Sequence, residues 1–195
     1  MLAEQKVARS NRVGCTKIRK RDFSLIFCYN KTMDWDKATD IMVATAIATA
    51  IIFFVMGVTQ WFKRKSFKKI DKPLLALIVP YALVAITYIV FDYIFVLNTR
   101  PDGSGEASFP STHTLITTTF FLCAAIALPY YIRQKSIIAL LDVIMLAFII
   151  LVPVGRVLAN KHWVSDCIGA LIFSVIFAGI YFILVKKLMK GAKNE

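Results

Sequence analysis

Groups that bind metals or form disulfides are scarce in this 195-residue sequence. It has 2 histidines, 4 cysteines and 12 acidic residues against 24 basic ones, for a formal net charge of +12. The cysteines form no CxxC pair and no zinc spacing, so the sequence indicates neither a metal cage nor a disulfide framework. We expect Cys123 and Cys167, which fall inside apolar stretches, to be small packing residues.

Long polar segments are also lacking over most of the chain. Hydrophobic residues make up 58% of it and its mean hydropathy is +0.65, whereas soluble domains are usually about 45–50% apolar. The basic residues stand in short runs between apolar stretches, as in membrane proteins. No soluble basic face remains for nucleic acid. The composition therefore predicts an integral membrane protein that contacts the lipid bilayer and has no nucleic-acid partner.

Five apolar segments are long enough to cross a bilayer, which takes about 20 residues. They cover approximately residues 38–62, 73–97, 113–131, 136–155 and 165–185. The sequence thus predicts an all-α fold, a polytopic membrane helix bundle of about five transmembrane helices, with one transmembrane domain over residues 33–190.

The orientation of these spans follows from the distribution of lysine and arginine. Basic residues mark three loops or ends as cytoplasmic, those after spans one, three and five: Lys63, Arg64, Lys65, Lys68, Lys69 and Lys72; Arg133 and Lys135; Lys186, Lys187, Lys190 and Lys193. The loops 98–112 and 156–164 are then both expected on the outer face.

Residues 1–32 conflict with this topology. Five spans and a cytoplasmic C-terminus place the N-terminus outside, yet this segment is strongly basic. Either residues 22–37 form a partial membrane element, or the basic segment is disordered or non-native. We hypothesise that translation begins at Met33, which opens an acidic stretch; intact residues 1–32 in N-terminal sequencing of the native protein would contradict this.

The first outer loop carries a cluster of anion-binding residue types. Arg100 offers a planar donor fork that matches phosphate oxygens. Ser111 or Thr112 can cap the following helix, whose N-terminal N–H groups suit an anion. His113 stands in the first turn of that helix. A capped helix with a surface histidine would explain this cluster equally well.

The second outer loop holds the other histidine. Arg156 ends span four, and His162 and Asp166 stand at i and i+4 at the start of span five. This spacing is expected to place both on one helix face. A carboxylate there would accept the Nδ1–H of His162 and leave Nε2 free to attack. The alternative is an interfacial polar set anchored by Trp163.

Together these residues resemble the type 2 phosphatidic acid phosphatase (PAP2) family, membrane relatives of the vanadium haloperoxidases. That family carries Lys-(six)-Arg-Pro, Pro-Ser-Gly-His and Ser-Arg-(five)-His-(three)-Asp. This sequence matches the three patterns in turn with Arg100-Pro101, with Pro110-Ser111-Thr112-His113, and with Gly155-Arg156, His162 and Asp166. The resemblance covers roughly residues 38–188.

The resemblance implies a role for each matching residue. His162 would be the nucleophile that forms a phosphohistidine, Asp166 would orient it, and His113 would act as general acid. The phosphate oxygens would be held by Arg100, Arg156, Ser111 and backbone N–H groups near Thr112. No metal or cofactor is expected.

Three positions depart from the family pattern. Tyr93 stands where the family has its phosphate-binding lysine, and Asp92 beside it would repel an anion if it faced the site. Thr112 and Gly155 replace glycine and serine. Loss of one transition-state donor typically costs about 10²–10³ in rate.

The leading hypothesis is a membrane lipid-phosphate phosphatase. The expected substrates are phosphatidic acid, phosphatidylglycerol phosphate or undecaprenyl diphosphate, the last favoured by outer-face loops in a bacterial plasma membrane. The missing lysine motivates the alternative, a catalytically weak or inactive member that binds a lipid phosphate or a membrane partner. A haloperoxidase is disfavoured because those relatives are soluble. A transporter would need polar residues at mid-span, whereas Asp142, the main acidic residue inside an apolar span, is expected near the cytoplasmic side of that span.

Overall fold

The computed structural model describes residues 34–66 and 70–191. In this part of the chain the structure is helical, with one isolated bridge between Thr99 and Ala107. The helices are α1 (Trp35–Arg64), α2 (Lys72–Ala76), α3 (Ile78–Ile89) with a π-helical turn (Val90–Ile94), α4 (Thr112–Ala127) with a 3₁₀ turn (Leu128–Tyr130), α5 (Lys135–Leu158) and α6 (Val164–Gly191).

Five of the described segments are long and apolar enough to span a membrane, which confirms the predicted fold class. They are Trp35–Arg64, Lys72–Ile94, Thr112–Tyr130, Lys135–Leu158 and Val164–Lys190. The second span ends three residues earlier than expected and is interrupted at Leu77, between α2 and α3. Pro80 explains the interruption, because it has no N–H to donate to the carbonyl of Ala76 four residues earlier.

Helix α4 lies at the centre of the bundle, in contact with α1, α3, α5 and α6. Its sequence contains the threonine run Thr117–Thr119, whose side chains are all buried. Large apolar side chains on the other spans are instead exposed, for example Phe54, Ile86 and Leu146. This distribution is expected when the outer helices face lipid and only the central helix is screened from it.

The bundle packs through small residues where helices approach closely. Ala46 on α1, Cys123 on α4 and Ala170 on α6 are completely buried, or nearly so. Cys167 is buried as well, and neither cysteine forms a disulfide. Both cysteines therefore serve as packing residues, as the sequence predicted.

The predictions on the N-terminal segment, 1–32, and on a start at Met33 lie outside the described residues. The same holds for Cys15, Cys28, Lys68, Lys69 and Lys193.

Candidate active site

The two loops that carry the histidine motifs meet at one end of the helix bundle. The indole N–H of Trp163 donates to the carbonyl of Thr99 at 3.0 Å. Lys161 Nζ lies 3.2 Å from a carboxylate oxygen of Asp102. The prediction that both motif loops lie at the same end of the spans is thus confirmed.

The first loop folds back on itself as a short hairpin. The backbone N–H of Arg100 donates to the carbonyl oxygen of Glu106 at 3.0 Å, and the backbone N–H of Ser108 donates to the carbonyl oxygen of Asn98 at 2.8 Å. Asp102 accepts the backbone N–H of Ser104 at 2.9 Å. This hydrogen bond, with Lys161 nearby, lowers the pKa of Asp102 to about 2. The hairpin returns the chain to the buried residue Ser108.

His162 is buried in the turn that precedes α6, with 3% of its surface exposed. Its Nδ1 lies 2.8 Å from the carbonyl oxygen of Ser108. Because a carbonyl can only accept, Nδ1 carries the hydrogen and Nε2 keeps its lone pair. Burial in the first place, and Arg156 in the second, lower the pKa of His162 to about 4. At neutral pH the imidazole is therefore uncharged, and Nε2 carries an unprotonated lone pair.

The expected arrangement of His162 and Asp166 on one helix face is wrong. Helix α6 begins at Val164, so His162 precedes it. Asp166 instead stands in the first turn, where its Oδ2 accepts the backbone N–H of Trp163 at 3.0 Å. This is the backward contact of a capping box, in which a side chain at N3 satisfies the N-cap N–H.

Ser108 links Asp166 to His162. Its hydroxyl donates a short hydrogen bond to Asp166 Oδ2 and lies 3.4 Å from Nδ1 of His162, while its carbonyl accepts the Nδ1–H. The predicted acceptor of the Nδ1–H, the carboxylate, is thus replaced by a backbone carbonyl. Asp166 is completely buried and its other oxygen accepts from Asn98 at 3.4 Å and Ser165 at 3.3 Å. Ser108 is not among the residues predicted from the sequence.

Arg156 and His113 are held by two acids of α1. Arg156, 3% exposed, donates from its terminal nitrogen to Asp36 at 2.7 Å, with Asp40 at 3.8 Å. Nε2 of His113 lies 2.8 Å from Asp40. Neither acid is among the residues predicted from the sequence. The signal for them is their i, i+4 spacing at the start of an otherwise apolar span, where ionisable residues usually serve a function.

Gly155 allows α1 to lie this close. A Cβ at this position would come within 2.6 Å of Thr39 Cγ2 and 3.1 Å of the Trp35 ring. A side chain here would force Thr39 or Trp35 to shift, so glycine fits this position, where the family pattern has serine. The close approach brings Asp36 within reach of Arg156, the next residue along α5.

Arg100 lies near this cluster. Arg100 donates from Nε to Ala107 at 3.3 Å and forms an ion pair with Glu106 at 2.6 Å. Its charge also contributes to the lowered pKa of His162, after burial and Arg156.

The N-terminus of α4 is tied to α6 rather than capped by a side chain. Ser111 occupies the N-cap position and is fully buried, but its hydroxyl makes no capping bond and instead accepts from Thr114 at 3.0 Å. Its N–H donates to the carbonyl of Asp166 at 3.2 Å. Thr112, the next residue, is half-buried. The first-turn N–H groups of α4 are therefore not satisfied by a side-chain cap.

Tyr93, at the position of the family lysine, is 71% exposed and packs edge-on against Tyr88. Among residues 34–66 and 70–191, no group of three or more His, Cys, Asp or Glu side chains is arranged to hold a metal ion.

Comparisons with known proteins agree with this architecture. The model of the PAP2 superfamily matches residues 94–190, which include both histidine motifs. Among solved structures, the chain is similar to the transmembrane PAP2-type phosphatidylglycerolphosphate phosphatase from Bacillus subtilis, with a TM-score of 0.53 and 20% sequence identity over 82% of this chain and 79% of that one. No curated protein matches the chain. The chain is an integral membrane protein and belongs to the PAP2 superfamily.

Proposed function

We propose that this protein is a membrane lipid phosphatase that works through a phosphohistidine on His162. Family membership supports a membrane lipid phosphatase in general. The observation that carries the specific proposal is the state of His162: buried, uncharged, with Nδ1 hydrogen-bonded to Ser108 and Nε2 unprotonated. A nucleophile needs an available lone pair that is held in a fixed direction.

In the first chemical step the Nε2 lone pair of His162 attacks phosphorus and the bond from phosphorus to the lipid oxygen breaks. The imidazole becomes positively charged, and the buried carboxylate of Asp166 stabilises that charge through Ser108. The leaving oxygen takes a proton from the imidazolium form of His113, which becomes neutral. The Nε2–H of His113 faces a carboxylate oxygen of Asp40 in the free protein.

In the second step water attacks phosphorus and the phosphorus–nitrogen bond breaks. Neutral His113 accepts the proton of the water and returns to its imidazolium form, inorganic phosphate leaves and neutral His162 is restored. Arg100, Arg156, Ser111 and the N–H groups at Thr112 would hold the phosphoryl oxygens. Fixed positive charges and N–H dipoles at the place where negative charge develops are commonly the largest contribution to such catalysis.

We place the site on the outer face of a bacterial plasma membrane, since the basic loops lie at the other end of the spans. The catalytic domain is residues 33–190. The substrate is a phosphomonoester or diphosphate of a lipid, such as phosphatidic acid, phosphatidylglycerol phosphate or undecaprenyl diphosphate.

A second candidate function is binding of a lipid phosphate without turnover. It is favoured by Tyr93, which is exposed and supplies no charge to the site.

Phosphate release tests these two functions against each other. Purified protein is incubated with each lipid phosphate in detergent, with and without EDTA, beside His162→Ala. We expect release that survives EDTA and disappears in the variant. A folded wild-type protein that binds lipid phosphate and releases none would instead support the binding function.

A further inference from the structure

The carboxylate of Asp36 lies between two cations of the site. Its Oδ1 accepts from Arg156 at 2.7 Å, and its Oδ2 lies 3.9 Å from Nζ of Lys161. One oxygen thus faces each cation. A phosphate group presents pairs of oxygens in the same way, with more negative charge. Asp36 therefore marks a position in which an anion bridges Arg156 and Lys161.

Lys161 is well placed and able to move. It lies directly before His162 in the turn between α5 and α6, and 30% of its side chain is exposed. A lysine is a point charge on a flexible stem, so its ammonium group can follow an anion that replaces its partner. Arg156, by contrast, is buried and held by the helix.

We propose that Lys161 is a phosphate-binding residue, and that the phosphate group of the substrate replaces Asp36 between Lys161 and Arg156. This inference rests on the proposed function, because it concerns the same site. It assigns a third cation to the phosphate, beside Arg100 and Arg156. Asp36 then pairs with both cations in the free protein and competes with the substrate for them.

A purely structural role for Lys161 is the alternative, since its ammonium group also pairs with Asp102 at 3.2 Å. This pair joins the two motif loops. Asp102→Asn breaks the pair and keeps the cation, whereas Lys161→Ala removes both. Comparison of these two variants separates anchoring of the loops from binding of phosphate.

The test measures binding of orthovanadate and of inorganic phosphate to the purified full-length protein by calorimetry, independently of turnover. For Lys161→Ala we expect binding roughly 10- to 150-fold weaker, the range for loss of a hydrogen bond to a charged group. Lys161→Arg should bind within about threefold of wild type, since it keeps the charge. Lys135→Ala, an exposed lysine on the other side of the bundle, is the matched control.

Asp36→Asn gives a result of opposite sign. It removes the competing charge but keeps an oxygen for Arg156, so binding of orthovanadate should become tighter. This gain should be smaller when Lys161→Ala is also present. Asp36→Asn tests the inference even if Lys161→Ala fails to fold.

Three results would overturn the inference. The first is unchanged binding of orthovanadate in folded Lys161→Ala. The second is equal weakening in Asp102→Asn and Lys161→Ala, which would show that Lys161 only anchors the loops. The third is unchanged or weaker binding in folded Asp36→Asn. Failure of the proposed function has a different signature, namely a wild-type protein that binds orthovanadate but releases no phosphate from any lipid.

Discussion

Removal of the Ser108 hydroxyl should slow the reaction, because Ser108 connects Asp166 to His162. The variant Ser108→Ala keeps the carbonyl that accepts the Nδ1–H. It removes the hydroxyl that donates to Asp166. A hydrogen bond to a charged group contributes about 1.5–3 kcal/mol. If the whole of this is felt when His162 becomes positively charged, kcat falls by roughly 10- to 150-fold.

Asp166→Asn should act through the same connection. The amide keeps the size of the side chain and loses its charge, so the carboxylate can no longer stabilise the imidazolium. The NH₂ group of the new amide also replaces one of the two acceptor oxygens. It then faces donors, either the N–H of Trp163 or the side chains of Asn98 and Ser165. An unsatisfied buried group costs about 1–3 kcal/mol, so we expect loss of stability as well as of rate.

The two substitutions should therefore not be additive. We expect Ser108→Ala with Asp166→Asn to be slower than the slower single variant by no more than about threefold, since residues in one hydrogen-bond network couple by about 0.5–3 kcal/mol. The assay is single-turnover phosphate release, with thermal unfolding to confirm that each variant is folded. Ser104→Ala, an exposed serine of the same loop, is the control. Losses that multiply would refute the connection through Ser108.

Two further predictions concern the state of His162 and the packing behind Ser108. The variant His113→Gln leaves His162 as the single histidine of the sequence. NMR of its ¹⁵N-labelled histidine should give a titration midpoint near the lowered pKa of about 4. A midpoint near 6.5, the ordinary value, would contradict the argument that burial lowers the pKa. Because the unfolded imidazole takes up its proton first, the stability conferred by neutral His162 should be present above about pH 6.5 and lost as the pH falls towards 4. Gly169→Ala should destabilise the protein by about 1–3 kcal/mol through overpacking, since its Cβ would meet the ring of Phe109. The control Gly179→Ala, with open space around it, should not lower the melting temperature. Equal effects of the two substitutions would contradict this packing.

The helix bundle was predictable because span length and the placement of basic residues are constraints that the bilayer imposes on any sequence. The five spans, the shared side of the two motif loops and the buried cysteines followed from these constraints. The break at Leu77 did not, although Pro80 was visible, because a proline in a membrane helix can either bend or interrupt it.

The internal partners of the site could not be read from the sequence. Contacts of Asp36 and Asp40 with Arg156 depend on α1 lying against α5, and span packing cannot be ordered from a single chain. Ser108 looked like an ordinary loop serine, and only the hairpin fold carries it to His162. The motif spacing predicted which residues lie together at one end of the bundle, and the tertiary structure determines what each of them contacts.

The central claim is tested most directly by trapping the covalent intermediate. The protein is mixed with a ³²P-labelled lipid phosphate, quenched in alkali and mapped by peptide mass spectrometry. The account predicts phosphate on the peptide that contains His162 in the wild-type protein and none in His162→Ala. Turnover of the substrate with no phosphate on His162, or with the label on another residue, would contradict it.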